Sequence, residues 1–266
     1  MSIVNCTPDS FYAPSRSPSP EDAAERALEA EALGADIVDF GAESTRPGAL
    51  PIDEEEEIRR LLPALKLFRK KSSLPVSVDT SKTNVARFAL DEGANIINDV
   101  SSPSEKGMIG LCAERNAAII LMYRMAFLHK KTAIEPENYA DEIKQYFIEV
   151  AKKAVSGGIK KEKIILDPGF GFNKSTGDNL VLLNDLAIIR PEDYPLLIGL
   201  SRKRFIGEIT GRDAEDRLGG TITANVLALT GGADIIRVHD TAEAVDAVKI
   251  FTAMNNSVLK GKNELV

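Results

Sequence analysis

Cysteine is nearly missing from this chain. Its 266 residues include two, Cys6 and Cys112. They lie too far apart for a metal or redox motif and are too few for a disulfide framework. That excludes a disulfide-stapled secreted module and fits a reducing cytoplasm. An excess of positive charge is missing too: the net charge is −7 and the isoelectric point is near 5.1. Nucleic acid and membrane surfaces are therefore not expected as partners, and any anionic ligand has to be held by a local cationic cluster. No apolar run approaches the length of a membrane span. The short apolar stretch at the start has no basic region before it and is interrupted by Asn5, Pro8 and Asp9, so no signal peptide is expected. Linkers and low-complexity segments are lacking as well, and residues 1–266 read as a single domain.

What the chain does have is a recurring punctuation. Eight short runs rich in Val, Ile and Leu each stop on polar residues: IVNCTPDS, ADIVDFGAESTRPG, VSVDTSK, NIINDV, IILMYR, IILDPGFGF, LIGLSRK and DIIRVHD. Runs without alternation are what strands buried on both faces look like. Enough chain for a helix lies between consecutive runs, which predicts a (β/α)8 barrel with its active site at the C-terminal ends of the strands. The spacing predicts strands over 2–6, 36–40, 76–78, 95–97, 118–122, 164–166, 196–200 and 234–238. It predicts helices from Ser19-Pro20-Glu21 to about Gly34, then over 53–71, 82–92, 138–156 and 242–258. Ser19 before Pro20 is an N-cap with proline in the first turn. The acidic run from Asp53 to Glu57 reads as a solvated helix start. A Gly219-Gly220 break is expected in the helix after the seventh strand.

The polar strand ends fall into two groups. Arg46, Arg237 and His239 favour an anion, and an Arg fork matches phosphate oxygens in shape as well as charge. Asn5 offers a neutral oxygen to a hard cation such as magnesium, which needs few protein ligands when phosphates supply the rest. Asp79, Asn98 and Asp167 favour N–H donors, because a buried unpaired carboxylate is costly; Lys203 can pair with one of them or face a ring heteroatom. The implied ligand carries phosphate at one end and an N–H-rich flat heterocycle at the other. Each residue also has a structural alternative: Asp79 as a helix cap, Asp167-Pro168-Gly169 as a turn, Asn98-Asp99 as an Asx turn, Arg237 and His239 as partners of Asp240, and Phe170 and Phe172 as core.

In their order, IVNCTPDSF, ESTRPGA, VSVDTSK, IINDV, ILDPGFGF, LSRKRFIG and IRVHD resemble the dihydropteroate synthases of the pterin-binding barrel family along nearly the whole chain. The resemblance implies condensation of 6-hydroxymethyl-7,8-dihydropterin diphosphate with 4-aminobenzoate, releasing pyrophosphate. It implies that Asp79, Asn98, Asp167 and Lys203 hold the pterin. Asn5, Arg46, Arg237 and His239 would hold the diphosphate, with Mg2+ bridging Asn5 and phosphate oxygens. Thr45, Pro47, Phe172 and Lys203 would form the aminobenzoate site, and Lys203, Arg237 and Asp167 would carry catalysis. It also implies a homodimer formed through helices late in the barrel. Two departures stand out. Ala13 replaces the second Asp of the family's first loop, where the following glycine pair is missing too, and Met122-Tyr123 replaces M-H at the end of the fifth strand, on the rim near the pterin. Other functions on such a barrel are methyl transfer from methyltetrahydrofolate, pterin binding without condensation, and a Lys203 Schiff-base aldolase. The first has no need for diphosphate ligands, the second would bind without turnover, and nothing beyond Lys203 suggests a carbonyl substrate.

Overall fold

The apolar runs become a parallel ring. In the computed structural model, which describes residues 1–6, 19–43, 50–101, 107–124, 139–191 and 194–263, six strands pair side by side in chain order. They are β1 (Ser2–Asn5), β2 (Val38–Gly41), β3 (Val76–Asp79), β4 (Ile96–Asp99), β5 (Ala118–Met122) and β6 (Ile164–Asp167). β7 (Leu197–Ile198) and β8 (Ile235–Ile236) pair with each other. A parallel bridge between Leu166 and Leu196 joins β6 to β7, and one between Ser2 and Val238 joins β8 to β1. The fold is the expected (β/α)8 barrel.

Around the strands lie α1 (Pro20–Ala32), α2 (Glu54–Arg69), α3 (Thr83–Asp91), α4 (Met108–Glu114), α5 (Tyr139–Ser156), α6 (Thr176–Asn184), α7 (Leu186–Ile189), α8 (Arg204–Thr210), α9 (Leu218–Thr230) and α10 (Thr241–Asn263). Ser19 caps α1 through the Asp22 amide, completed as a capping box by the Asp22 side chain. Asp53 caps α2 by accepting the Glu56 amide at 2.8 Å.

Two apolar layers follow from the two-residue period of a strand. Outward residues such as Val38, Phe40, Val78, Ile97, Ile119, Leu121 and Leu166 pack against the helices in one large cluster. Inward residues Ile96, Ile120, Ile165 and Leu197 meet Met1, Ile37 and Ile235 inside the ring. On four of these strands the next inward position is polar: Asp39 above Ile37, Asn98 above Ile96, Asp167 above Ile165 and Arg237 above Ile235. The apolar plug thus serves as the floor of a polar chamber.

Two expectations need correction. The helix after β7 breaks at Gly211, whose φ of 68° ends α8, and not at Gly219-Gly220. Those two glycines lie in the first turn of α9, where a Cβ on Gly220 would come within 2.5 Å of the Ile206 side chain. Neither breaks the helix; Gly220 permits close packing against Ile206, while a Cβ on Gly219 would meet nothing within 4 Å. The acidic start of α2 is also not uniformly solvated. Glu57 is buried and takes the Lys82 ammonium at 2.5 Å, and Lys82 also pairs with Glu43 beyond β2.

Candidate active site

The chamber is centred on Arg237. Its guanidinium lies 2.6 Å from the Asp39 carboxylate and donates to Asp79 Oδ2 at 2.9 Å. Burial opposes the charge on Arg237, but the Asp39 and Asp79 carboxylates outweigh that cost and hold its pKa above the ordinary value. Asn98 Nδ2 approaches the same Asp39 oxygen at 3.5 Å. Burial raises the Asp79 carboxyl against the pull of Arg237, and the charges of Asp39, Glu57 and Asp99 push the same way. Asp79 does not cap α3, whose start at Lys82 has no side-chain cap. Asp240 is paired with Arg202, and Arg237 pairs with Asp39 and Asp79 instead.

Asp39 is the main residue missed in the sequence. It is fully buried, and among the described residues no hydrogen-bond partner reaches its Oδ1 or Asn98 Oδ1. Buried acceptors are paired in nearly all proteins, so two orphans facing one chamber mark where a donor-rich ligand would sit. The available signal was register: Asp39 stands two residues beyond the inward Ile37, whereas Asp36 in the same run is exposed.

The far wall is the turn after β6. Asp167 Oδ1 accepts the Gly169 amide at 2.7 Å, so this residue makes the turn and also faces the chamber. Burial raises its carboxyl, against the opposing charge of Lys203. Gly169 has a φ of 67°, and a Cβ there would sit 2.2 Å from the Tyr123 carbonyl; only glycine lets the turn pass. Lys203 donates to the Phe170 carbonyl and lies 4.9 Å above the Phe172 ring. Burial, against the attraction of Asp167, brings its pKa down to about 8. Phe170 is core and fully buried, while Phe172 is partly exposed under the Lys203 ammonium. His239 Nδ1 lies 2.9 Å from Ser201 Oγ, and burial followed by the charge of Arg237 lowers its pKa to about 4. Its ring is neutral near pH 7. Thr45, Arg46, Pro47 and Ala13 lie outside the described residues.

Tyr123 does not line the rim. Its ring is fully buried, its hydroxyl donates to Glu142 at 3.0 Å, and Tyr139 and Tyr146 meet it edge-on. This departure from the family pattern thus seats α5 behind the site. Lys174 was also missed. It is 4% exposed, donates to the Gly169 carbonyl at 2.8 Å and lies 5.0 Å from the centre of the Tyr123 ring. Burial, then repulsion from Lys203, lowers its pKa from 10.5 to about 7. Between those values the unfolded chain binds a proton that the folded chain does not, so Lys174 makes stability rise with pH across that window. The unfolding free energy of the wild type minus that of Lys174→Met, measured by urea titration, is expected to rise from pH 7 towards 10.5. A flat difference would mean that Lys174 keeps its ordinary pKa.

Asn5 ends β1 in register with Gly41 of β2, and the Ile3 amide bonds to the Val238 carbonyl at 2.8 Å. Its place is on the rim between β2 and β8. Among the described residues no group of three or more His, Cys, Asp or Glu could hold a metal unaided. One amide oxygen suits magnesium only when phosphate and water complete its shell, and a diphosphate ligand meets that condition.

Residues 1–239 match the model of a pterin-binding enzyme family. Dihydropteroate synthase from Escherichia coli K12 is 41% identical over 95% of this chain and 90% of its own, and the Bacillus subtilis protein of that name is 40% identical over 96% and 88%. The dihydropteroate synthase of Xanthomonas albilineans, solved with 4-aminobenzoic acid, superposes with a TM-score of 0.88 at 39% identity, covering 96% of this chain and 92% of that one. The same protein solved with 7,8-dihydropteroate gives a TM-score of 0.84 at 38% identity over the same shares. With a family match that spans all eight strands and relatives about 40% identical over nearly the whole chain, the chain belongs to the pterin-binding enzyme family and groups within it with the dihydropteroate synthases.

Proposed function

We propose that this protein is a dihydropteroate synthase, condensing 6-hydroxymethyl-7,8-dihydropterin diphosphate with 4-aminobenzoate to 7,8-dihydropteroate and pyrophosphate in folate biosynthesis. The observation that carries the reading is the polar layer above the apolar floor of the chamber. Asp39, Asp79, Asn98 and Asp167 give a cluster of acceptors, some without partners, at the depth where a pterin's ring N–H and amino groups would need them. Lys203 and the Phe172 ring border the same space. The X. albilineans relative was solved with the second substrate and with the product of this reaction.

The chemistry needs little from the protein beyond placement and charge. The C–O bond to diphosphate breaks and its electron pair leaves with the phosphate. The dihydropterin ring delocalises the resulting methylene cation. The neutral arylamine forms the C–N bond and loses its proton to solvent, so no strong protein base is required. In this reading Asp79, Asn98 and Asp167 hold the pterin with Lys203, while Arg46, Arg237 and His239 receive the diphosphate. Thr45, Pro47, Phe172 and Lys203 form the aminobenzoate site. Asn5 would hold Mg2+ together with phosphate oxygens, and the ion, when bound, supplies charge to the departing diphosphate. Purified protein given Mg2+ and both substrates is expected to release pyrophosphate and dihydropteroate in equal amounts. A folded sample that makes neither rules the activity out, and retained pterin binding in that sample would indicate a binding protein.

The protein is also proposed to be a cytoplasmic homodimer. Cys6 and Cys112 are free and buried, and among the described residues no helix is long and apolar enough to cross a membrane. Cell fractionation checks the compartment; recovery with membranes would oppose it. Val226 and Leu227 of α9 are 37% and 54% exposed, and Ile250 and Met254 of α10 are 73% and 51% exposed. These two helices pack together and present an apolar face that a second copy would cover. Sedimentation is expected to give twice the chain mass of 28.8 kDa, and Ile250→Glu is expected to give the single chain. A wild-type monomer would remove the proposal.

A further inference from the structure

β7 and β8 share only two paired residues each, Leu197 with Ile235 and Ile198 with Ile236. The last backbone bond between them runs from the Arg237 amide to the Ile198 carbonyl at 2.9 Å. Lys203 and His239 both lie beyond it. Past that point the two chain ends are tied by side chains. Ser201 Oγ meets both the backbone amide and Nδ1 of His239, at 3.2 and 2.9 Å. Arg202 then makes a two-pronged pair with Asp240, Nε to Oδ2 at 2.9 Å and Nη2 to Oδ1 at 2.7 Å. Both partners are nearly out of solvent, at 3% and 11% exposure. The fork fixes the angle as well as the distance between the two segments.

The backbone of Arg202 is arranged to make this contact. Its φ is 55°, a left-handed conformation that a non-glycine residue adopts only when the surroundings impose it. The surroundings here are specific. The Arg202 amide bonds to Thr221 Oγ1 at 3.0 Å and its carbonyl accepts from Arg217 at 3.1 Å. Its remaining nitrogen holds the carbonyls of Ala214 and Glu215 at 2.8 and 2.7 Å. The left-handed turn sends Arg202 towards Asp240 while Lys203, the next residue, reaches the Phe170 carbonyl at the chamber wall.

We propose that Arg202 and Asp240 are positioning residues that fix the spacing between Lys203 and His239. They would thereby fix the spacing between the pterin end and the diphosphate end of the site. The inference rests on the ligand reading given above. A ligand that spans both ends gains from their linkage only if the geometry lets both engage at once. Loosening the pair should therefore cost the whole ligand more than either half.

The test is calorimetric titration of wild type, Asp240→Asn and Arg202→Lys, with magnesium present, against three probes: the dihydropterin diphosphate, 6-hydroxymethylpterin without phosphate, and inorganic pyrophosphate. Both variants are expected to bind the whole ligand about tenfold more weakly, while each half stays within about threefold of wild type. Equal weakening of all three probes, or no weakening of the whole ligand, would overturn the proposal. So would failure of both variants to fold, which would assign the pair to the scaffold. A wild type that binds none of the probes would instead overturn the ligand reading itself.

Discussion

Arg237→Ala is expected to lower kcat/KM for pyrophosphate release by about a hundredfold, on the order of 2.7 kcal/mol. It is also expected to destabilise the fold by about 3–5 kcal/mol, the usual cost of removing one partner from a buried ion pair. The second effect follows from what Arg237 holds together. Asp39 is fully buried and Asp79 is 14% exposed in its side chain, and the guanidinium lies between them at 2.6 and 2.9 Å. Without it, two carboxylates share one chamber with no cation between them.

The pH dependence has a definite sign. A carboxyl group whose pKa is raised by folding binds more protons folded than unfolded. Its contribution to stability therefore falls as pH rises from the ordinary value, 3.8, to the raised one. In Arg237→Ala that window should widen upward, so the variant should regain stability on acidification relative to wild type. Adding Asp39→Asn should restore much of the stability at neutral pH and none of the turnover. Urea unfolding at acid and neutral pH, alongside the pyrophosphate assay, measures both effects. If Arg237→Ala unfolds like wild type at every pH, the two-carboxylate account of Arg237 is wrong.

How much of this was legible in the sequence depended on whether a signal was local. The fifth strand lies where the apolar run put it, Ala118–Met122, because a run buried on both faces announces its own length. Asp79, Asn98 and Asp167 stand at strand ends and Arg237 directly follows one, while Lys203 and His239 lie a few residues further on, in the segments that leave β7 and β8. Asp39 was hidden by register, since its run holds two aspartates and only the position of Ile37 inside the barrel tells them apart. Glu57 was hidden in a charge run whose other members look alike; it differs only because the turn of α2 aims it at Lys82. The tie between Arg202 and Asp240 joins residues 38 apart in sequence, and no local pattern encodes it. The Gly219-Gly220 reading failed because both glycines sit within the first turn of α9, where Gly220 serves packing against Ile206, a tertiary demand that a breaker rule does not contain.

Lys203→Ala is expected to lower kcat/KM by about tenfold or more, on the order of 1.4 kcal/mol, and to change the shape of the pH profile. Burial brings the Lys203 pKa from 10.5 down to about 8. If its ammonium is what faces the ligand, wild-type kcat/KM should fall above pH 8 as the proton leaves, since that ratio reports groups of the free enzyme. Removing the side chain should leave a lower activity without that fall. Lys203→Arg separates charge from fit. A guanidinium stays charged throughout the range, so the alkaline fall should disappear there too. A planar fork does not reproduce the ammonium's contact with the Phe170 carbonyl over the Phe172 ring, and activity should remain below wild type. Lys174, whose pKa of about 7 places it close by, is the competing source of such a fall. It reaches the Gly169 carbonyl from behind the turn, so Lys174→Met should keep the fall near pH 8. An alkaline fall that survives Lys203→Ala and vanishes in Lys174→Met would transfer the role from one lysine to the other.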